Sequence, residues 1–315
     1  MNTALRITVF AAALAATFGA AYGVGNAVDT ITPQQKGGHT VHHDKSGGHD
    51  DMASMPGMPG MDHDTAPGGL EISEGGYTLA LNTSQVPAGE KTDLSFSIVR
   101  DDTGRKVTAY EQQHGKELHF IVAARDLTVY RHLHPTRAAD GTWHTSVDLP
   151  HAGGYRVFAD FTPKGGDSLT LGADLAVAGR YQPVELPAPS TTAKTDGYEV
   201  RLEGTPVSGK PATLTLTVSK DGHPVGNLQP YLGAYGHLVA LRSGDLAYLH
   251  VHPTGEPGDG TTKPGPKVSF MVTAPTAGAY RLFFDFQHDG KVRTAAFTVH
   301  ASGATGTHGA GAHEH

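Results

Sequence analysis

Short runs of apolar residues that alternate with polar ones occupy two stretches of the chain, and such alternation predicts β-strands. The alternation begins at Gly76, is interrupted after Gly179, and stops near His300. Each stretch is long enough for about seven short strands, which suits an immunoglobulin-like sandwich. We therefore predict an all-β fold with two tandem immunoglobulin-like β-sandwich domains, residues 71–180 and 196–300.

Three segments lack this alternation. Residues 31–70 are rich in Gly, His, Asp and Met, a composition that cannot build a packed core and predicts disorder. Residues 181–195 are rich in proline and predict an extended linker between the two domains. Residues 301–315 are again rich in Gly and His, so we expect a disordered tail.

The N-terminal residues 1–30 predict export from the cytoplasm. One positive charge, Arg6, precedes a stretch without charged residues from Ile7 to Val28. Cleavage near the small residues at 20–25 would make this segment a signal peptide, whereas an uncleaved stretch just reaches the length of a membrane anchor, an apolar helix. Either interpretation places the rest of the chain outside the cytoplasm, secreted or held at the cell envelope by the anchor.

The two predicted domains are copies of one another. Residues 119–135, HFIVAARDLTVYRHLHP, align without a gap to residues 237–253, HLVALRSGDLAYLHVHP. Residues 153–161, GGYRVFADF, likewise match residues 278–286, GAYRLFFDF. Duplication of the fold accounts for the shared apolar positions and for the repeated Gly-x-Tyr. It does not account for the histidines, which a sandwich does not need.

The composition of the chain limits which metal ligands, nucleophiles and partners are possible. The chain has 315 residues, no cysteine, 20 histidines and a net charge of −7. The absence of cysteine excludes disulfides, thiolate metal sites and cysteine nucleophiles, so any metal must be held by imidazole, carboxylate or thioether. The charge offers no basic patch, and nucleic acid is therefore not an expected partner.

Strand geometry brings the histidines of the first copy together. His132 and His134 alternate with one residue between them, so they project from the same side of a strand, roughly 7 Å apart. A hairpin centred between Asp126 and Leu127 pairs residues whose numbers sum to 253, which places His119 opposite His134. Directly opposed residues have Cβ atoms about 5 Å apart, so three imidazoles converge.

The second copy gives the same arrangement with His237, His250 and His252. Three convergent imidazoles suit Cu(II) or Zn(II) with one position left open. Asp160 and its counterpart Asp285 follow the Gly-x-Tyr element and are the candidate fourth ligands. We therefore predict one three-histidine site per domain.

Two alternatives stay open for these histidines, a structural polar network and a metal-free acid–base site. Five further histidines have no counterpart in the other copy, and we expect them on the surface: His114, His144, His151, His223 and His288.

The segment before the first domain carries further soft ligands. Its four methionines recur at a strict interval of three, and histidines surround them. Thioether selects Cu(I), while imidazole accepts copper in either state or zinc. The predicted metal-capturing residues are His39, His42, His43, His49, Met52, Met55, Met58, Met61 and His63.

The pattern His…His-Leu-His-Pro…Gly-x-Tyr-x-Phe-x-Asp-Phe resembles that of exported bacterial copper-handling proteins, which are small β-sandwiches. It covers both copies, about two thirds of the chain. The resemblance implies ligand roles for His119, His132 and His134 and for their counterparts. Periplasmic copper chaperones of this kind carry His-x-Met on the sandwich, whereas this chain has His-x-His, so their Cu(I) role does not transfer to the folded domains.

These observations predict an extracytoplasmic copper-binding protein that sequesters or carries the metal without catalysis. Cu(II) is expected at the histidine sites and Cu(I) at the methionine tract, with zinc as the second candidate metal and other envelope copper proteins as candidate partners. The alternative is a membrane-anchored immunoglobulin-like interaction protein whose histidines are structural or sensitive to pH. No Ser/His/Asp, paired-carboxylate or HExxH arrangement is placed for catalysis, so we do not expect an enzyme.

Overall fold

The computed structural model describes residues 67–303, and the regular elements among them are all β-strands. The predicted all-β sandwich fold is confirmed. Within the described range, no helix is long and apolar enough to cross a membrane. The predicted export segment, the methionine tract and residues 304–315 of the predicted C-terminal tail lie outside the described residues. Ala301, assigned to that tail from the sequence, is the last residue of a strand. The described residues belong to one compact unit, which contains both sandwiches.

The first sandwich consists of two sheets that enclose an aromatic core. One sheet has the order β1-β2-β4-β9-β8, and the other has the order β3-β11-β10-β6-β7, with β5 paired to β10. Phe96 of the first sheet stacks on Phe120 of the second at 4.3 Å between ring centroids. The strands are β1 Ser73–Glu74, β2 Tyr77–Leu81, β3 Gln85–Pro87, β4 Lys91–Arg100, β5 Tyr110–Glu111, β6 Leu118–Ala124, β7 Tyr130–Leu133, β8 Thr136–Arg137, β9 Thr142–Asp148, β10 Gly153–Pro163 and β11 Leu169–Ala178.

The second sandwich repeats this plan, but its two layers are joined into one sheet. The order is β12-β13-β14-β18-β17-β16-β19-β20, with β15 paired to β14, and β17 connects the layers by pairing with both β16 and β18. The strands are β12 Thr192–Thr195, β13 Tyr198–Glu203, β14 Pro211–Lys220, β15 His223–Pro224, β16 His237–Arg242, β17 Tyr248–Pro253, β18 Lys267–Thr273, β19 Gly278–His288 and β20 Lys291–Ala301.

The predicted linker is shorter than expected. Residues 192–195, assigned to it from the sequence, form β12 and pair with β13. The sequence TAKT can pair as an edge strand. It was assigned to the linker because the residues before it are rich in proline.

A repeated tyrosine bond explains the repeated Gly-x-Tyr. The Tyr155 hydroxyl donates to the His151 carbonyl at 2.8 Å, and the Tyr280 hydroxyl donates to the Thr276 carbonyl at 2.9 Å. Both bonds tie a buried tyrosine to the turn four residues before it, as in the tyrosine corner of immunoglobulin-like domains.

The two sandwiches pack face to face through equivalent sheets. Side chains on a strand alternate, so Phe120 and Val122 point into the first core while Ile121 and Ala123 point out of it. The outward residues of both sandwiches meet in a separate apolar layer, here named the interface cluster, which contains Ile121, Ala123, Leu127, Tyr130, Phe158, Val239, Leu241, Leu246, Tyr248 and Phe283.

Two reciprocal aromatic pairs show how the copies are related. Tyr130 stacks on Phe283 with ring centroids 4.1 Å apart and planes at 5°. Its counterpart Tyr248 meets Phe158, the counterpart of Phe283, at 5.4 Å. When residue i contacts j and the copy of j contacts the copy of i, the two surfaces are related by an approximate twofold rotation.

The chain just before the first strand also bridges the two sandwiches. The Gly68 carbonyl accepts from the Tyr248 amide at 2.9 Å, and the Gly69 amide donates to the Thr170 carbonyl at 2.7 Å. Gly69 has a φ of +75°, and a Cβ there would lie 2.5 Å from the Phe158 ring. Only glycine therefore fits at this position, on the edge of the interface cluster.

Candidate metal centre

The β6–β7 hairpin brings three histidines together. Its register pairs Phe120 with Leu133 and Ile121 with His132, and the numbers of both pairs sum to 253, as the sequence predicts. The next pair in that register is His119 with His134. Among the described residues, these two and His132 are grouped so that one possible ligand atom from each lies within 4.8 Å of the others.

These distances are close to those of a metal site. Nitrogen ligands at about 2.0–2.1 Å from a tetrahedral metal lie about 3.4 Å from each other. The ring centroids of His119, His132 and His134 are 5.3, 5.4 and 4.8 Å apart, and the facing nitrogens of the first two are already 3.1 Å apart.

The outer hydrogen bonds fix which nitrogens face inward as acceptors. His119 Nε2 lies 3.2 Å from the Gln113 carbonyl, and His132 Nδ1 lies 3.0 Å from Asp285 Oδ2. Carbonyl and carboxylate oxygens only accept, so these two nitrogens carry the protons. In neutral rings, His119 Nδ1 and His132 Nε2 are then both lone pairs facing each other at 3.1 Å. A proton or a metal ion between them would make this contact favourable.

The third histidine has an unsatisfied atom. His134 Nε2 is buried and has no hydrogen-bond partner, while Nδ1 lies 3.4 Å from the Tyr231 hydroxyl. A buried polar atom without a partner costs about 1–3 kcal/mol. A metal ion bound to this nitrogen would remove that cost, and the residues present therefore fit such an ion.

The second sandwich places His237 beside this group. Its ring centroid is 6.4 Å from that of His119 and 6.2 Å from that of His132. His237 Nε2 donates to the Tyr231 carbonyl at 2.8 Å, as His119 donates to Gln113, in each case to a residue six positions earlier. The sequence assigned His237 to the site of the second domain, and in the structure its ring lies beside the three histidines of the first domain. We call His119, His132, His134 and His237 the histidine centre.

The other two ligands predicted in the second copy are known only through their backbone. Val239 pairs with His250 and Leu238 pairs with Val251, and the residue numbers of each pair sum to 489. In the same register, the next pair is His237 with His252. The side chains of His250 and His252 lie outside the described part of the structure.

Asp285 contacts a histidine of the other sandwich. It is 2% exposed and accepts from His132 Nδ1 at 3.0 Å, from the Tyr130 hydroxyl at 3.3 Å and from the Thr294 hydroxyl at 2.5 Å. The sequence proposed it as a direct ligand of its own domain's site. In the structure it holds the Nδ1 side of the His132 ring, as carboxylates do beside imidazoles that bind a metal through their other nitrogen.

Asp160 occupies the equivalent position in the first sandwich. It is 3% exposed, lies opposite His119 in the strand register, and accepts from the Thr170 hydroxyl at 3.3 Å. Burial, followed by the negative charge of Asp160 and a hydrogen bond to it, raises the pKa of Tyr248 well above its usual value. Asp160 therefore pairs with the tyrosine equivalent to the one that bonds Asp285.

Burial keeps three of these imidazoles neutral near pH 7. Desolvation, with a smaller contribution from His132, lowers the pKa of His119 to about 4. The same two causes lower the pKa of His134 to about 3. Desolvation also lowers the pKa of His237 to about 4. Neutral imidazole is the form that binds metal ions.

A small cavity lies among these side chains. Its volume is about 20 Å³, enough for about one water molecule or one metal ion. Both sandwiches contribute to its walls, which are formed by His114, His119, His132, Asp160, His237, Leu238, Val239, Tyr248 and Val251.

Two of the histidines expected on the surface are not there. His114 lies in a turn with a φ of +51°, and its ring packs 5.3 Å from that of His237 and 6.2 Å from that of His119. His288 is 8% exposed and bonds the Tyr198 hydroxyl at 2.7 Å. Neither has a counterpart in the other copy, so the repeat gave no signal for them. The remaining three are exposed, as predicted: His144, His151 and His223.

The sequence also missed the tyrosines of the site. Tyr130 and Tyr248 stand at the start of each repeated phrase, two residues before the first histidine. Their repetition at the same place in both copies is the sequence feature that could have identified them as part of the site. Period-two alternation places these tyrosines on the same face as the histidines.

The fold and this site define a class, a tandem β-sandwich protein with a buried histidine centre between its two sandwiches. The family described as Domain of unknown function (DUF8832) matches residues 71–179 and again residues 193–303, and the chain belongs to this family. The two matches coincide with the two sandwiches. No curated protein matches the chain.

Several solved structures share a weak likeness. The FdeC adhesin of Escherichia coli is 17% identical at a TM-score of 0.24, over 74% of this chain and 65% of that one. InvD of Yersinia pseudotuberculosis is 12% identical at 0.24, over 74% and 59%. The D00–D0 domain of intimin is 10% identical at 0.21, over 70% and 98%. This chain thus spans less than two thirds of the first two, and TM-scores this low carry no argument about function.

Proposed function

We propose that this protein binds a transition-metal ion, copper in the first place, and sequesters or carries it outside the cytoplasm without catalysis. One observation carries the proposal. The outer bonds of His119 and His132 turn two lone pairs toward each other at 3.1 Å, and the buried His134 Nε2 beside them has no partner. Three imidazoles arranged in this way need a cation.

Copper is proposed ahead of zinc for two reasons. Nitrogen sites generally bind Cu(II) more tightly than Zn(II), and imidazole suits both. The methionine tract adds thioethers, which select Cu(I). In this proposal the tract captures copper and the buried centre holds it more selectively. The location outside the cytoplasm is proposed from residues 1–30, with other envelope copper proteins as the partners that would exchange metal.

Metal titration tests the proposal. Residues 31–66 and 304–315 are deleted to remove the histidines and methionines outside the two sandwiches. The protein is then titrated with Cu(II) and with Zn(II) by calorimetry and by metal analysis after gel filtration. We expect tight binding by the fold itself, with Cu(II) preferred. Replacing His132→Ala together with His134→Ala removes two of the three ligands and should weaken binding by more than the roughly 10–100-fold typical of an outer-shell change.

The matched control replaces two exposed histidines, His144→Ala and His151→Ala, and should bind as the wild type does. Circular dichroism of each variant checks that the sandwich is intact. The proposal is wrong if the wild type binds neither ion, or if the double variant at the centre binds as tightly as the control.

A second candidate function follows from the same contacts. His132 forms an ion-pair contact with Asp285 of the other sandwich, and Tyr130 donates to the same carboxylate. This network would also serve an interaction protein whose histidines hold the sandwiches together with a proton in place of a metal. In that case the centre variants lower stability but leave metal content unchanged, so the titration separates the two functions.

A further inference from the structure

The histidine centre lies where the two sandwiches meet. His119 and His237 are equivalent positions of the repeat, and their rings are 6.4 Å apart. A residue close to its own copy lies near the axis that relates the copies, whereas Tyr130 and Phe283 represent the reciprocal contacts on either side of it. The centre therefore straddles the pseudo-twofold axis of the molecule.

Each sandwich alone provides an incomplete site. The first supplies the ring nitrogens of His119, His132 and His134. The second supplies Asp285, which bonds His132 Nδ1 and so turns Nε2 of that ring inward. It also supplies His237, which closes one wall of the 20 Å³ cavity.

Charge favours a cation at this position. Asp160 and Asp285 are 3% and 2% exposed, and ionised carboxylates are costly to bury unless a positive charge accompanies them. Among the described side chains, the ion-pair partner of Asp285 is His132. A divalent ion at the histidine centre would place further positive charge beside the buried Asp285.

We infer that a metal ion at the histidine centre clamps the two sandwiches together, so that metal affinity and sandwich docking strengthen each other. The inference rests on the proposed function and goes beyond it. The ligands sit on the first sandwich, but their orientation depends on the second. By linkage, the factor by which docking raises metal affinity equals the factor by which metal tightens docking.

The first test changes a residue of the second sandwich. Asp285→Asn keeps the shape of the side chain but removes the charge that holds His132 Nδ1–H. We expect affinity for Zn(II), a redox-silent probe, to fall about 10–100-fold. The control Asp167→Asn alters an exposed carboxylate of the first sandwich and should leave affinity unchanged. Equal affinities of the two variants would overturn the inference.

The second test measures docking itself and does not depend on a variant of the site. A protease site is inserted between Ala188 and Pro189, in the exposed connection before β12, and the folded full chain is cut there. The dissociation constant of the two fragments is measured with Zn(II) and with EDTA. We expect Zn(II) to lower it by about tenfold or more, within the usual range of coupling between sites.

Fragments that associate equally with Zn(II) and with EDTA would overturn the clamp, even if the intact chain binds metal. A wild type that binds no ion would instead refute the proposed function. The two failures are therefore distinguishable, because metal binding by the intact chain is measured first.

Discussion

The metal-free protein should lose stability as the pH falls from 6.5 to 4. His237 is 8% exposed, and burial lowers its pKa from 6.5 to about 4 in the folded chain. In the unfolded chain the ring takes up a proton below pH 6.5. Between these two values the unfolded state binds more protons than the folded state, so the free energy of unfolding decreases as the pH decreases. Above pH 6.5 this histidine adds no pH dependence.

The magnitude follows from the size of the shift. One proton bound only by the unfolded state changes the free energy of unfolding by about 1.4 kcal/mol per pH unit. A shift from 6.5 to about 4 therefore gives His237 a loss of about 3 kcal/mol across that window. His119 has a shift of the same size, but the charges of His132 and His237 contribute to it, so the two losses are not independent.

Urea unfolding in EDTA at several pH values between 7.5 and 4 measures this effect. We expect the free energy of unfolding to be independent of pH above 6.5 and to decrease as the pH falls below 6.5. His237→Gln removes one titrating ring and should reduce the slope by about 1.4 kcal/mol per pH unit. Replacing the exposed His151 by Gln should not change the slope. A wild-type stability that stays constant from pH 6.5 to 4.5, or an unchanged slope in His237→Gln, would refute the reasoning.

Two further predictions concern the packing between the sandwiches. Gly69→Ala should destabilise the protein by about 2–4 kcal/mol in urea unfolding, because the new Cβ would strike an aromatic ring; Gly76→Ala, at a similar φ but in open space, should cost only about 1 kcal/mol. Equal losses would contradict the packing argument. Phe283→Ala removes a ring that is 3% exposed and should cost about 3–5 kcal/mol, whereas Met271→Ala, 45% exposed, should cost less than about 0.5 kcal/mol. A small loss for Phe283→Ala would show that the sandwiches do not depend on this layer.

The sequence predicted the local geometry of the site because local geometry is set by strand periodicity and turn position. The β6–β7 hairpin turns at Asp126 and Leu127, and the turn determines that His132 pairs with Ile121. Two copies with the same spacing made the register a strong prediction. The fold class followed from the same alternation.

The contact between the sandwiches was not predictable in the same way. Alternation shows that Ile121 and Ala123 share a face with the histidines, but it does not show what covers that face. His114 illustrates the limit, because its turn places the ring against His237, more than a hundred positions away. Nor does alternation show that Asp285 contacts His132 of the other copy.

The duplication itself explains why the histidine phrase occurs twice. A single sandwich of this kind would expose the face that carries Ile121, Tyr130 and Phe158, an apolar surface that favours association with a copy. When two copies are joined in one chain, each sandwich covers the apolar face of the other. The approximate twofold rotation that relates them brings equivalent residues near the axis into contact. Histidines near the axis then meet their counterparts, as His119 meets His237. The repeat therefore places His119 and His237 side by side where the two sandwiches meet. If the proposed function holds, a change confined to one sandwich should be felt by ligands on the other.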